Sequence, residues 1–285
     1  MYLNKNIIAI LLISNIWAIG LQGLFIPQNG KILSNAGTGI AGNIDFALNP
    51  AMKKIESPYI QFSLNKWLGD LSGSYTLLRW GKTIPKQLSI QTWNADRIKL
   101  YGDSPTDYPL GEFDINCTSI AFGSSYNFNS KYILGFRIQT YYSHLFTQTS
   151  QGITFDFGTF IPINKILSIG SSISNIGYEF SQNTKSTLPL EYGIGSEIII
   201  TILRSSILLD ILNNQSNGQE QRLAFVTNWK YLNINFGKSF SKNRNASALG
   251  FSFDYKNWEI NYGVYFHQNS SIFSDPRCID VRYYF

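Results

Sequence analysis

Charge is scarce in this chain. Lys, Arg, Asp and Glu make up 14% of its 285 residues, against roughly 25% in an average soluble protein, which tells against a cytosolic enzyme. Long hydrophobic runs are missing too. The longest fully apolar stretch, residues 7–13, falls well short of the ~20 residues that a membrane-spanning helix needs, so a helical membrane protein is excluded. Cysteine and histidine occur twice each, and no His, Cys or carboxylate cluster has the spacing of a metal site. What is present is an aromatic content of 15% and repeated alternation of apolar and polar residues. Two classes survive: a soluble all-β protein, or a membrane β-barrel, whose outer face is apolar although no single segment looks so.

The ends of the chain separate these classes. Lys5, the apolar stretch 7–13 and the small residues Ala18 and Gly20 have the order of a secretory signal peptide over residues 1–20. No cysteine precedes Cys117, so this is not a lipoprotein signal. At the other end, Ile279, Val281, Tyr283 and Phe285 share one face of a strand, with Asp280, Arg282 and Tyr284 on the other. A last strand with Tyr283 and a final Phe285 resembles the assembly signal of bacterial outer-membrane barrels.

Between the ends, period-2 alternation bounded by turn residues predicts fourteen strands: 58–67, 71–80, 87–100, 115–126, 132–145, 152–162, 166–176, 188–200, 204–212, 221–229, 231–238, 247–255, 257–266 and 278–285. An even number suits a single-chain bacterial barrel. The clearest strand sets Trp258, Ile260, Tyr262, Val264 and Phe266 against Glu259, Asn261, Gly263 and Tyr265. Alternation alone also fits a β-sandwich, but the connections sort by length. Short ones at 127–131, 164–165, 201–203, 230 and 256–257 alternate with long ones at 146–151, 177–187, 213–220, 239–246 and 267–277. Short turns on one rim and longer loops on the other are expected of an outer-membrane barrel, with the short side periplasmic.

Residues 21–57 do not alternate. They contain Gly37, Gly39 and Gly42 in the spacing of a dinucleotide fingerprint, but without the preceding strand and following long helix that this motif needs. A turn-rich segment fits better. Asn49-Pro50-Ala51-Met52 then reads as the capped start of a short helix. A fourteen-strand barrel is wider than side chains alone fill, so residues 21–57 are expected to fold into the lumen as a hatch, with residues 58–285 forming the barrel.

This arrangement resembles the FadL-like superfamily of outer-membrane proteins, and within it the PorV/PorQ branch. The resemblance rests on the signal peptide, the Gly-rich stretch, Asn49-Pro50-Ala51, Trp67-Leu68-Gly69-Asp70, Asn175-Ile176-Gly177, Leu188-Pro189-Leu190 and the terminal Phe285. It implies a fourteen-stranded antiparallel transmembrane β-barrel with an N-terminal hatch in the lumen, located in the bacterial outer membrane. A PorV-type member would be a non-enzymatic partner of protein export and surface attachment of the type IX kind, binding secreted cargo or export components. The alternative within the superfamily is a conduit for long-chain fatty acids or other hydrophobic small molecules. Outer-membrane lipid and the barrel assembly machinery are the expected partners in either case.

The remaining residues add no other chemistry. Ser143 and His144 are neighbours on one strand and so point to opposite faces; no catalytic constellation and no cofactor are expected. The net charge of +5 comes from scattered basic residues, without the basic, aromatic-interleaved patch of a nucleic-acid binder. By alternation, Arg137, Asp156, Asp210, Asp254, Glu259, Asp280 and Arg282 face the lumen, since an Arg at the bilayer midplane would cost ~2–4 kcal/mol. Cys117 and Cys278 fall on strands separated by three others and read as free thiols. Gly123, Gly135, Gly158, Gly193 and Gly195 are candidates for strand kinks that open the wall, or for making room for the hatch.

Overall fold

The computed structural model describes residues 24, 26–42, 44–53, 55–67, 71–100, 108–128, 131–145, 148–180, 188–215, 218–242, 245–267 and 275–285. The expected signal peptide and Leu68-Gly69-Asp70 lie outside them. A short helix, α1 (Gly30–Ser34), precedes fourteen strands: β1 (Tyr59–Lys66), β2 (Ser72–Trp80), β3 (Lys86–Leu100), β4 (Gly111–Phe128), β5 (Tyr132–Leu145), β6 (Gln148–Pro162), β7 (Leu167–Glu179), β8 (Glu191–Ile200), β9 (Ser205–Asn214), β10 (Gly218–Trp229), β11 (Leu232–Ser241), β12 (Asn245–Tyr255), β13 (Trp258–His267) and β14 (Arg277–Tyr284). Each pairs antiparallel with its chain neighbours, and β1 pairs with β14 to close the barrel.

The wall is apolar outside and polar inside. Along β13, Trp258, Ile260 and Phe266 are exposed while Glu259, Asn261 and Tyr265 are buried; along β14, Ile279, Val281 and Phe285 face out while Asp280 and Arg282 face in. A soluble sandwich would bury the first set, so this is the pattern of a barrel that meets lipid. Among the described residues no helix is long and apolar enough to cross a membrane.

Several strands run further toward the rim opposite the chain ends than the alternation predicts. β4 begins at Gly111, β6 at Gln148 and β10 at Gly218, while β9 reaches Asn214 and β11 reaches Ser241. Three of the long loops expected on that rim therefore shrink to 146–147, 215–217 and 242–244; the longer connections are 101–110, 180–190 and 268–276. Polar residues such as Gln148, Gln219 and Asn245 read as loop in the sequence, yet the ladder hydrogen bonds hold them in strands.

Residues 26–53 occupy the lumen. Nine strands hydrogen-bond to them: Asn65 on β1 to the Gln28 carbonyl, Arg79 on β2 to that of Lys53, Gln87 on β3 to Asp45, Ser125 on β4 to the Met52 carbonyl, the Thr159 carbonyl on β6 from Asn49, Asp210 on β9 from Gly39, Arg222 on β10 to the Gly37 carbonyl, Asn235 on β11 to Ser34, and Asp280 on β14 from Gly30. The other five strands each present a glycine instead: Gly135 on β5 against Pro50, Gly170 on β7 and Gly195 on β8 against Ile40, Gly250 on β12 against Ser34, and Gly263 on β13 against Gly30. A chain segment that touches every strand of a closed barrel from its polar face lies inside it.

The helix is α1 rather than one starting at Pro50. Asn29 caps α1 by accepting from the Ile32 amide. After Pro50 the Met52 and Lys53 carbonyls accept from Ser125 and Arg79 of the wall, and residues 50–53 form no helix. Gly37 and Gly39 carry φ of 75° and 147°, turn geometry that a side chain resists, and no dinucleotide-binding βαβ unit surrounds them.

The glycines considered as kink sites sit in continuous strands. A β-carbon on Gly135 would overlap the Pro50 backbone, and one on Gly158 would overlap the Asn49 side chain. Their role is room. Gly135→Leu is therefore expected to lower barrel stability by about 1–3 kcal/mol through overpacking and to expose residues 26–53 to protease. Leu134→Phe, one residue along and facing outward, is expected to change stability by less than about 0.5 kcal/mol; denaturant titration with limited proteolysis reads both.

Candidate functional site

Two wall carboxylates capture backbone amides of the inner segment. Asp280 accepts from Gly30 N through both oxygens, at 2.8 and 3.0 Å, at the first residue of α1. Asp210 accepts from Gly39 N at 2.7 Å and Ile40 N at 3.2 Å. Asn49 completes the attachment. Its side chain donates to the Ile40 carbonyl at 2.7 Å and the Thr159 carbonyl at 2.9 Å, and accepts from Ala51 N at 2.9 Å. Gly42 packs where a β-carbon would strike Leu208.

The rim that carries the chain ends holds a second network. Arg282 stands 4.3 Å over the Tyr59 ring and donates to Gln61 at 2.8 Å and Glu259 at 2.9 Å. Glu259 also accepts from Tyr284 and lies 3.8 Å from Lys31 of α1. Asp254 is half-buried beside Asn233, which donates to it at 3.0 Å. These contacts tie α1 to β1, β13 and β14 with ring and guanidinium planes.

Toward the other rim there is space. A cavity of about 90 Å³ has Ile26, Pro27, Ile32 and Leu48 of the inner segment on one side, and Arg137, Asn175, Glu191 and Arg222 of the wall on the other. Arg222 organises the polar side. It donates to Glu220 at 2.8 Å, to Glu191 at 3.4 Å and to the Gly37 carbonyl at 3.0 Å. Tyr265, stacked on Trp67 at 6.4 Å with His267 edge-on at 5.0 Å, closes one end.

The cavity ends against a break in the wall. β7 stays paired with β6 out to Glu179, but its pairing with β8 stops at Ser174 opposite Glu191. At that point the β6–β7 register shifts and Asn175 adopts a φ of 64°, the signature of a bulge. Beyond it Ile176, Gly177 and Tyr178 are all exposed, whereas a closed wall buries alternate residues. The bulge is held from within: Asp156 accepts from Asn175 N at 2.7 Å and from Arg137 at 2.7 Å. Arg137 and Asp156 are 6% and 1% exposed, and a buried pair of this kind fixes geometry more surely than it adds stability. Across the gap, among the described residues, Asn175 Nδ2 donates to the Pro189 carbonyl at 3.0 Å.

Of the charges expected to face inward, Asp210 and Asp280 hold the inner segment, Arg137 and Asp156 hold the bulge, and Glu259, Arg282 and Asp254 lie near the rim of the chain ends. The cavity residues Glu191, Glu220 and Arg222 were not singled out in the sequence, although alternation along β8 and β10 puts them on the inward face. Leu188-Pro189-Leu190 precedes β8 rather than opening it, and Asn175-Ile176-Gly177 lies within β7. Cys117 and Cys278 are free and buried, and Cys278 donates to Asp280 at 3.1 Å. His144 faces Thr149 at 3.3 Å. Among the described residues no group of His, Cys, Asp or Glu is arranged to hold a metal.

The chain matches no protein-family model and no curated protein in sequence. Its three-dimensional likeness is to solved channels. The Ralstonia pickettii toluene transporter TbuX superposes with a TM-score of 0.68 at 11% identity, covering 92% of this chain and 100% of that one. The CymD monoaromatic hydrocarbon channel gives 0.63 at 11% identity, covering 91% and 98%. A TodX deltaS2S3 mutant, also a monoaromatic hydrocarbon channel, gives 0.64 at 9% identity, covering 89% and 97%. This is the FadL-like barrel fold. At such identities the likeness extends to the fold and no further.

Hydrogen bonds to a carboxylate are worth about 1.5–3 kcal/mol each. Asp210→Ala and Asp280→Ala are each expected to lower stability by roughly that amount and to make residues 26–53 protease-sensitive while the barrel remains folded. Denaturant titration and the cleavage pattern report the two effects separately.

Proposed function

We propose that the protein is a non-enzymatic outer-membrane conduit for compact hydrophobic molecules, with the inner segment acting as a hatch and the β7–β8 break as the side door. The observation that carries this reading is the cavity ending at the break. A molecule that enters from the loop rim meets the apolar face of Ile26, Pro27 and Ile32, and its unobstructed direction is sideways past Asn175 into lipid. The size of the cavity favours a small cargo. At about 90 Å³ it is well below the ~300–1,000 Å³ of ordinary ligand pockets, and the channels with the same fold are described as carrying toluene and monoaromatic hydrocarbons. Toluene is the probe of choice.

The export-partner reading of the PorV/PorQ kind is less favoured. Asn49-Pro50-Ala51, its strongest sequence support, anchors the inner segment to β6 and would do so whatever the barrel carries.

Stapling the break tests the conduit. In the double variant Asn175→Cys with Pro189→Cys, oxidation is expected to cut radiolabelled toluene uptake by cells lacking other channels at least tenfold, and reduction to restore it. Uptake that ignores the staple sinks the side-door route. Co-purification of secreted proteins or export machinery with the tagged barrel would favour the export reading instead.

A further inference from the structure

The lipid-facing side of the wall carries a second concavity beside the break: the pairs Ser172/Gly193 and Ile173/Tyr192 immediately precede Ser174/Glu191, where the β7–β8 pairing stops. A groove of about 430 Å³ crosses β7, β8 and β9, with Ser172, Gly193 and Leu212 at its floor. Gly193 presents only backbone to the groove, since a β-carbon there would point inward against Leu212 and Ile40. Both are buried, at 2% and 4% exposure. The groove is thus closed toward the lumen and open toward the bilayer.

Its lining is sorted by depth. Tyr192 pairs with Asn213 across β8 and β9, and Gln219 pairs with Asn213 across β9 and β10. These three stand at the loop-rim ends of their strands, and Asn213 Nδ2 donates to the Tyr192 hydroxyl at 2.9 Å. Two residues deeper, or about 7 Å along the strands, Ile194 lies opposite Ile211. Both isoleucines are exposed. The result is an amphipathic slot with amide and phenol groups toward the loop rim and aliphatic groups below. Among the described residues no Lys, Arg, Asp or Glu lines it.

We infer that this groove binds one acyl chain of a membrane lipid, with the neutral ester or hydroxyl part of the headgroup hydrogen-bonded by Tyr192, Asn213 and Gln219. The occupant follows from what the groove faces. It is continuous with the apolar outer wall, so hydrocarbon meets it in any bilayer, and the buried Leu212 and Ile40 separate it from cargo in the lumen. Its volume lies within the range in which a pocket encloses most of a small ligand. The absence of charged lining assigns recognition to the uncharged part of the head, not to phosphate. This inference requires only that the barrel sits in a membrane; because the groove borders the break, toluene uptake is read beside lipid retention.

The test uses the full barrel in nanodiscs of palmitoyl-oleoyl phosphatidylethanolamine, released and activated stepwise in a mass spectrometer. One lipid is expected to remain bound after the others have left. Ile194→Trp, which fills the slot, and the double variant Tyr192→Phe with Asn213→Ala, which removes its hydrogen bonds, are each expected to lower that retained fraction at least fivefold. Phe251→Ala on the far wall is expected to leave it unchanged. An unaltered barrel that retains no lipid, or variants that retain it equally, would overturn the site. Toluene uptake by the groove variants is expected to stay at the unaltered level; its loss with lipid still bound would assign the groove to the transport path and overturn the lipid assignment.

Discussion

Fourteen strands closed into a ring enclose more space than inward side chains fill, and the fold depends on how that space is occupied. Here a stretch of main chain fills it. Main chain brings unpaired amides and carbonyls into an interior where leaving them unsatisfied costs free energy. The wall answers in two ways: polar side chains meet the amides and carbonyls, and glycines let the backbone come close. Asp280 at Gly30, Asp210 at Gly39 and Asn49 at Thr159 are the first kind. Gly135, Gly170 and Gly263 are the second.

The same demand organises the electrostatics. The two carboxylates that hold the inner segment are met by backbone amides, and other inward charges compensate one another. Arg282 lies beside Glu259, Arg137 beside Asp156, and Arg222 beside Glu191 and Glu220. Because Arg222 also binds the Gly37 carbonyl, one side chain joins the inner segment to the first residue of β8, where the wall opens. The network near the chain-end rim thus coexists with a looser region on the β7–β8 side, which the cavity borders.

Much of this architecture is legible in the sequence because a strand in a membrane barrel repeats one simple rule. Trp258, Ile260 and Phe266 alternate with Glu259 and Asn261 and so fall on the opposite face. Strand number follows from that rule, and the sorting of the connections by length, with the chain ends, says that the apolar face meets lipid. Strand ends do not follow from it, because Gln148, Gln219 and Asn245 are poor local strand formers held by their ladder partners. The helix was misplaced for a related reason: Asn49-Pro50 has the local chemistry of a helix start, but the Met52 and Lys53 carbonyls after it bond to Ser125 and Arg79, distant in sequence. The break at Asn175 was hidden as well. Its cause is a left-handed backbone fixed by Asp156 on the neighbouring strand, a long-range hydrogen bond that no local pattern encodes. Whether a glycine bends a strand or admits a neighbour depends on what lies opposite.

The central claim is that residues 26–53 fill the lumen, and single-channel recording of the intact protein in planar bilayers tests it most directly. The account predicts no steady ion conductance from the intact barrel, and a large conductance once residues 26–53 are removed from a barrel that still folds. A stable, water-filled pore in the intact protein would contradict it.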